Sequence, residues 1–127
     1  MSRMSILLTK AQRGAHAEDL ACRFLLEHGL RLLARNYRCR RGEIDLIMQD
    51  RGNLVFVEVR YRRQSRYGSG LESVTPRKQQ RIVHCATQFL QSHPQRAQQP
   101  ARFDVVALRP DSDGTRIEWI RNAFDAF

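Results

Sequence analysis

Gly42-Glu43-Ile44-Asp45-Leu46-Ile47-Met48-Gln49-Asp50-Arg51-Gly52-Asn53-Leu54-Val55-Phe56-Val57-Glu58-Val59-Arg60 decides the fold of this chain. Two apolar runs flank Asp50-Arg51-Gly52-Asn53, and the second is rich in β-branched residues, which predicts a β-hairpin. With the turn centred between Arg51 and Gly52, Asp50 faces Asn53, Ile47 faces Phe56, Asp45 faces Glu58 and Glu43 faces Arg60. Loops of two or four residues share that centre. Glu43 and Asp45 then share one face of their strand, and Glu58 and Arg60 share one face of theirs. Directly opposed side chains have Cβ atoms ~5 Å apart, so two acids there repel unless a positive group lies between them. A divalent ion with hard oxygen ligands, Mg²⁺ or Mn²⁺, answers that need. The plainer alternative is neutralisation by Arg60.

Outward from the hairpin, Ala17, Leu20, Ala21, Phe24 and Leu25 recur at helical spacing, and Gly29 follows as a stop. A strand is expected from Leu32 to Arg38, and a basic turn from Cys39 to Gly42. Downstream, Tyr61 to Ser73 reads as a basic loop. Thr75-Pro76 starts a second helix, with a capping hydroxyl followed by proline at the first helical position. Ile82, Val83, Ala86, Phe89 and Leu90 form its apolar stripe, and His93-Pro94 ends it. After a polar linker, Gln95 to Pro100, strands are expected at Arg102–Leu108 and Arg116–Ile120, joined by a turn at Asp111–Gly114. A strand, a crossover helix and a further strand imply a parallel pair. The expected fold is α/β, mixed α+β: helix, three strands, helix, then one or two strands, in a mixed sheet flanked by helices. Residues 1–10 read as a flexible arm and residues 11–127 as a single domain.

The chain carries a net charge of +9 over 127 residues. Thirteen basic and five acidic residues lie between Arg31 and Arg81, so nearly all of the excess belongs to one region. A clustered basic field attracts a polyanion, nucleic acid being the common one; a solvated basic face is the alternative. Only Lys10 and Lys78 are lysines. Arginine suits bidentate phosphate contacts, although codon bias produces the same count. The apolar fraction of 42% excludes a disordered chain, and no apolar run approaches a bilayer span. Ile6-Leu7-Leu8 is too short for a signal-peptide core, so a cytoplasmic location is expected. Cys22, Cys39 and Cys85 suggest neither a disulfide framework nor a zinc site; Cys22 and Cys85 are expected as buried free thiols. The four histidines show no metal spacing. Trp119 is expected in the core or at an edge, and Asp104 either supports the site or is a buried, paired structural acid.

Gly14-x-x-x-Glu18, Asn36-Tyr37-Arg38, Gly42-Glu43-Ile44-Asp45-Leu46-Ile47, Phe56-Val57-Glu58-Val59-Arg60, Gly68 and Arg102-Phe103-Asp104-Val105-Val106 together resemble the YraN family of bacteria. The resemblance runs from about Gly14 to Val106. It implies a core like that of the restriction-endonuclease superfamily and of archaeal Holliday-junction resolvases. In that superfamily an Asp on one strand and a Glu-x-Lys on the next hold Mg²⁺. By resemblance, Asp45 and Glu58 are metal ligands, Glu18 is the helical acid that completes the site, and Glu43 is a supporting acid. The sequence departs from the pattern at Arg60, where lysine is expected. Arginine stabilises phosphate charge but does not act as a base. Lys78 is a candidate to substitute for it in space.

The reaction so implied is metal-assisted phosphodiester hydrolysis, with branched DNA as a candidate substrate and Glu18, Asp45, Glu58 and Arg60 as catalytic residues. Arg40, Arg41, Arg62, Arg63, Arg66, Arg77 and Lys78 are expected to grip the backbone, with Tyr61 or Tyr67 stacking on a base. The alternative is a DNA-binding module that lost hydrolysis with Arg60. A scaffold meeting an acidic protein has no specific support. No membrane partner is expected, and a homodimer is expected by analogy with junction-cutting enzymes.

Overall fold

A computed structural model describes residues 10–62, 74–111 and 114–125. Helix α1 (Lys10–Glu27) leads into β1 (Arg31–Cys39), β2 (Gly42–Asp50) and β3 (Asn53–Tyr61). Helix α2 (Pro76–Ser92), a single 3-10 turn (Pro94–Arg96), β4 (Ala101–Asp111) and β5 (Gly114–Phe124) follow. The five strands form one sheet in sequence order. All neighbours are antiparallel except β3 and β4, which α2 connects as a parallel pair. The architecture is the mixed α+β one that the sequence implies. Lys10 belongs to α1 rather than to an arm, and residues 1–9 lie outside the described residues. No described helix is long and apolar enough to cross a membrane.

Each element forms for a local reason. Gly29 takes φ +90°, a left-handed position that suits glycine, while the Leu30 N–H reaches back to the Leu25 carbonyl and closes α1. The Thr75 hydroxyl accepts from the Lys78 N–H at 3.2 Å, and Pro76 opens α2. The β2–β3 turn is the two-residue Arg51-Gly52, with Arg51 at φ +56°. Strands β4 and β5 each run beyond the predicted bounds.

Both sheet faces are covered. Leu46, Met48, Val55, Val57, Val106 and Leu108 pack against Ala17, Ala21, Cys22 and Leu25 of α1. On the other side Ile44, Ile47, Leu54, Phe56, Phe103 and Val105 pack against Ile82, Cys85, Ala86 and Phe89 of α2. A central strand with both faces buried reads as a continuous apolar run, as β2 and β3 do. Cys22 is a buried free thiol. The expectation of a free Cys85 is corrected: Cys85 on α2 forms a disulfide with Cys39 at the end of β1, with Cα atoms 5.4 Å apart. The two cysteines meet only because α2 crosses back over β1, which their spacing in sequence does not reveal.

Asp104 is fully buried and structural. It accepts from Arg102 Nε at 3.0 Å, Trp119 Nε1 at 3.0 Å and the Asn122 N–H at 2.9 Å. Arg102 also reaches Asp50 at 2.8 Å and so ties β4 to the hairpin end. Trp119 is half-buried, edge-on to Phe24 of α1.

Candidate active site

The site lies where the sheet forks. The β2–β3 ladder runs from Asp50↔Asn53 to Leu46↔Val57 and goes no further. Beyond it β2 continues with β1, through Tyr37↔Ile44 and Arg38↔Glu43. Strand β3 continues with β4, through Glu58↔Val105 and Arg60↔Ala107. A cavity of about 370 Å³ opens in the fork.

Asp45 sits at the branch. Strict alternation would place Ile44 with Leu46 and Met48 on the α1 side, but Ile44 packs with Ile47 on the α2 side. The strand therefore turns over at Asp45. Asn36, between Arg35 (facing Leu46) and Tyr37 (facing Ile44), takes φ +51° on the neighbouring strand. Asparagine tolerates that left-handed position better than most residues. Such an irregularity re-aims a side chain. The Asp45 Oδ2 atom now accepts from the Val59 N–H of β3 at 2.8 Å.

Asp45 and Glu58 thus meet in the fork, as the hairpin register predicts, although as hydrogen-bonded carboxyl groups rather than as a ladder pair. Both are nearly buried, 9% and 5% exposed. Burial pushes the Glu58 carboxyl up to about 7; the Asp45 charge adds to this, and Lys78 opposes it. Asp45 is raised by burial and held down by the Val59 N–H and by Glu58. Glu18, from α1, lines the same cavity. Its carboxyl is raised first by burial and then by the Asp45 charge. Glu18 Oε1 is buried without a hydrogen-bond partner; Arg35 stands 3.7 Å from it.

The cations arrive from two directions. Lys78 Nζ, from the first turn of α2, is 2.8 Å from Glu58 Oε1. Arg60 Nη1, two residues along β3, is 3.9 Å from the same oxygen. The predicted opposition of Glu43 and Arg60 is corrected: the ladder stops short of them, and Glu43 pairs with Arg38 at 3.6 Å, although both Glu43 and Arg60 line the cavity.

Glu18, Asp45, Glu58, Arg60, Lys78 and Arg41 are therefore brought together, with Tyr61 at the edge. Arg77 lines an adjoining cavity. Arg40 is exposed in the β1–β2 turn, and the Arg62 N–H is bonded to the Leu108 carbonyl; neither lines the two cavities. Arg63, Arg66, Tyr67 and Gly68 lie outside the described residues. Sequence reasoning missed Arg81, which lines both cavities. Its signal was its place one helical turn beyond Arg77 and Lys78.

Among the described residues no three Asp, Glu, His or Cys side chains form a metal centre as they stand. The donor chemistry nevertheless suits a hard divalent ion: Asp45 and Glu58 supply carboxylate oxygens, and the Glu18 oxygen is buried without a hydrogen-bond partner. Holding an ion requires Glu58 to give up its proton and the Lys78 contact to relax.

The fold and cavity define a mixed α+β protein with an acidic pocket, answered by lysine and arginine, in a split sheet. The chain belongs to the family described as "Uncharacterised protein family UPF0102", whose model matches residues 17–108. This bears out the YraN resemblance. The chain is 49% identical over 116 residues to a UPF0102 protein of Nitrosococcus oceani, covering 91% of this chain and 94% of that one. It is 51% identical over 113 residues to one of Stutzerimonas stutzeri, covering 89% and 94%. With one of Alcanivorax borkumensis it shares 44% over 122 residues, covering 95% and 98%. Among solved structures it is similar to Pyrococcus furiosus SfsA in complex with Ca²⁺, at TM-score 0.33 and 14% identity, covering 96% of this chain and 67% of that one.

Proposed function

We propose that this protein is a nucleic-acid-binding, nuclease-like enzyme that hydrolyses a phosphodiester, with Mg²⁺ or Mn²⁺ held by Asp45 and Glu58 and completed by Glu18. One observation carries the reading: two buried carboxyl groups and the Lys78 ammonium converge in one cavity at the fork of the sheet. Charged groups are kept buried at a cost, and such clusters in clefts mark functional sites. The restriction-endonuclease-like resemblance supports the same roles.

The ion, when bound, would lower the pKa of a coordinated water and offset charge on the phosphate. The side chains do the rest. Asp45, anchored to β3 by the Val59 N–H, keeps one oxygen in a fixed direction. Lys78 takes the place of the strand lysine that Arg60 replaces, and its ammonium orients a water and stabilises developing negative charge. Arg60 contacts the phosphate. Arg41 and Arg77 border the cavities and hold the backbone. The partner in this reading is DNA, with branched DNA among its substrates, and the protein acts in the cytoplasm as a homodimer. The alternative, a DNA-binding module without hydrolysis, rests on Arg60 standing where the resemblance expects lysine.

The test is cleavage of labelled branched, duplex and single-stranded DNA by purified protein with Mg²⁺ or Mn²⁺. Cleavage by the wild type, abolished in Asp45→Asn and Glu58→Gln, is the expected result. Salt-sensitive binding without cleavage supports the alternative. Cleavage unchanged in both variants refutes the assignment of the site.

A further inference from the structure

Beside the acidic pocket lies a second cavity of about 360 Å³, lined by Arg41, Arg77, Gln80 and Arg81. Three guanidinium groups and an amide surround it, with no acid among the residues named. Arg41 and Arg81 also line the acidic pocket, so the two cavities share a wall. All three arginines are exposed, and none forms an ion pair with an acid among the described residues.

The fold holds these like charges together. Arg77 and Arg81 are four apart on α2 and so neighbour each other on one face, an arrangement that repels in isolation. Arg41 comes from the β1–β2 turn. That turn lies against α2 at Gly42, where a Cβ would stand 3.7 Å from the Arg81 Cβ, an ordinary contact. The Cys39–Cys85 bridge ties the strand entering the turn to the same helix, one turn beyond Arg81. The cluster is therefore imposed by a packed turn and a covalent link, and a bound anion relieves its repulsion. Arginine's fork of donors matches phosphate oxygens.

We propose that Arg41, Arg77 and Arg81, with Gln80, seat a non-reacting backbone phosphate of the nucleic-acid strand whose neighbouring phosphodiester enters the acidic pocket. This rests on the reading of that pocket as a phosphodiester site. The seat fixes where the strand runs: from the fork, over Arg81, along the exposed face of α2. It makes the substrate a polynucleotide with phosphate beyond the reacting bond, so that a dinucleotide with a single phosphate is a poor ligand.

The experiment measures binding of a fluorescent oligonucleotide in EDTA, where no hydrolysis occurs. The variant Arg41→Gln/Arg77→Gln/Arg81→Gln is compared with Arg23→Gln/Arg31→Gln/Arg116→Gln, which removes the same charge from exposed arginines elsewhere. Affinity is expected to fall at least tenfold in the first and less than threefold in the second. The slope of log K against log salt should flatten by about 1 or more only in the first. Should the triple variant fold poorly, Arg77→Glu alone is expected to give the same ranking. Equal losses in the two sets, or no loss in either, overturn the seat. Because the assay needs no metal, the seat and the hydrolysis fail independently: selective loss of binding without any Mg²⁺-dependent cleavage keeps the seat and removes the enzyme.

Discussion

Lys78 Nζ stands 2.8 Å from Glu58 Oε1, closer than Arg60, whose Nη1 is 3.9 Å from the same oxygen. The helix thus supplies the cation nearest the buried Glu58 carboxyl. An ammonium on a flexible stem is a compact, strongly hydrated donor that a forked guanidinium does not replace.

On the account proposed above, Lys78→Ala is expected to lower the cleavage rate constant by about 100-fold or more, the scale for removing a charge-stabilising donor. Arg60→Ala should cost less in rate and more in substrate affinity. Single-turnover kinetics separate the two. The reverse ranking would mean that Arg60 is the functional cation.

Stability should fall with pH through this pocket. The folded state holds the Glu58 proton to about 7, whereas an unfolded glutamate releases it near its ordinary value of 4.5. Between these values the folded state binds more protons, so the contribution of this group is greatest below 4.5 and declines as pH rises through about 7. The change is on the order of 3 kcal/mol. Urea denaturation of wild type and Glu58→Gln between pH 5 and 8 checks it: the variant should lack this decline.

Asp104 should matter to stability and not to chemistry. It is fully buried and held by Arg102, Trp119 and the Asn122 N–H. Removing Arg102 leaves its charge uncompensated, so Arg102→Ala is expected to cost about 3–5 kcal/mol. Denaturation midpoints report this loss. Residual cleavage by the folded fraction should keep the wild-type rate constant.

The Cys39–Cys85 bridge closes a separation of 46 residues. The chain-entropy relation gives about 4 kcal/mol for a loop of that size, the upper part of the usual range. Reduction with dithiothreitol, or Cys39→Ser/Cys85→Ser, should lower the urea midpoint accordingly. Thiol counting in denaturant should find one free thiol before reduction and three after it. Three from the start would show that the bridge does not form.

The hairpin was legible because a short turn fixes register: Asp50↔Asn53 determines every pair to Leu46↔Val57. Helix α2 was legible from Thr75-Pro76 and its apolar stripe, and the parallel β3–β4 pair from the crossover that α2 makes. The fork was not. Extending the pairing past Leu46 assumes regular alternation, and the strand turns over at Asp45 opposite the positive φ of Asn36. For that reason Asp45 meets Glu58 as expected while Glu43 turns to Arg38 rather than to Arg60. The Cys39–Cys85 bridge and the reach of Lys78 to Glu58 are long-range contacts set by how α2 lies on the sheet, which no local pattern encodes. Arg81 was hidden in the general arginine excess: its place one helical turn beyond Arg77 and Lys78 was readable, but the two cavities that it lines were not.

The most direct test is anomalous diffraction from crystals soaked in Mn²⁺ at pH 8, above the pKa of about 7 at Glu58. A peak bound by Asp45 and Glu58, with Lys78 drawn away from the Glu58 oxygen, is the predicted result. Mn²⁺ bound only elsewhere, with the Lys78–Glu58 contact intact, would contradict it.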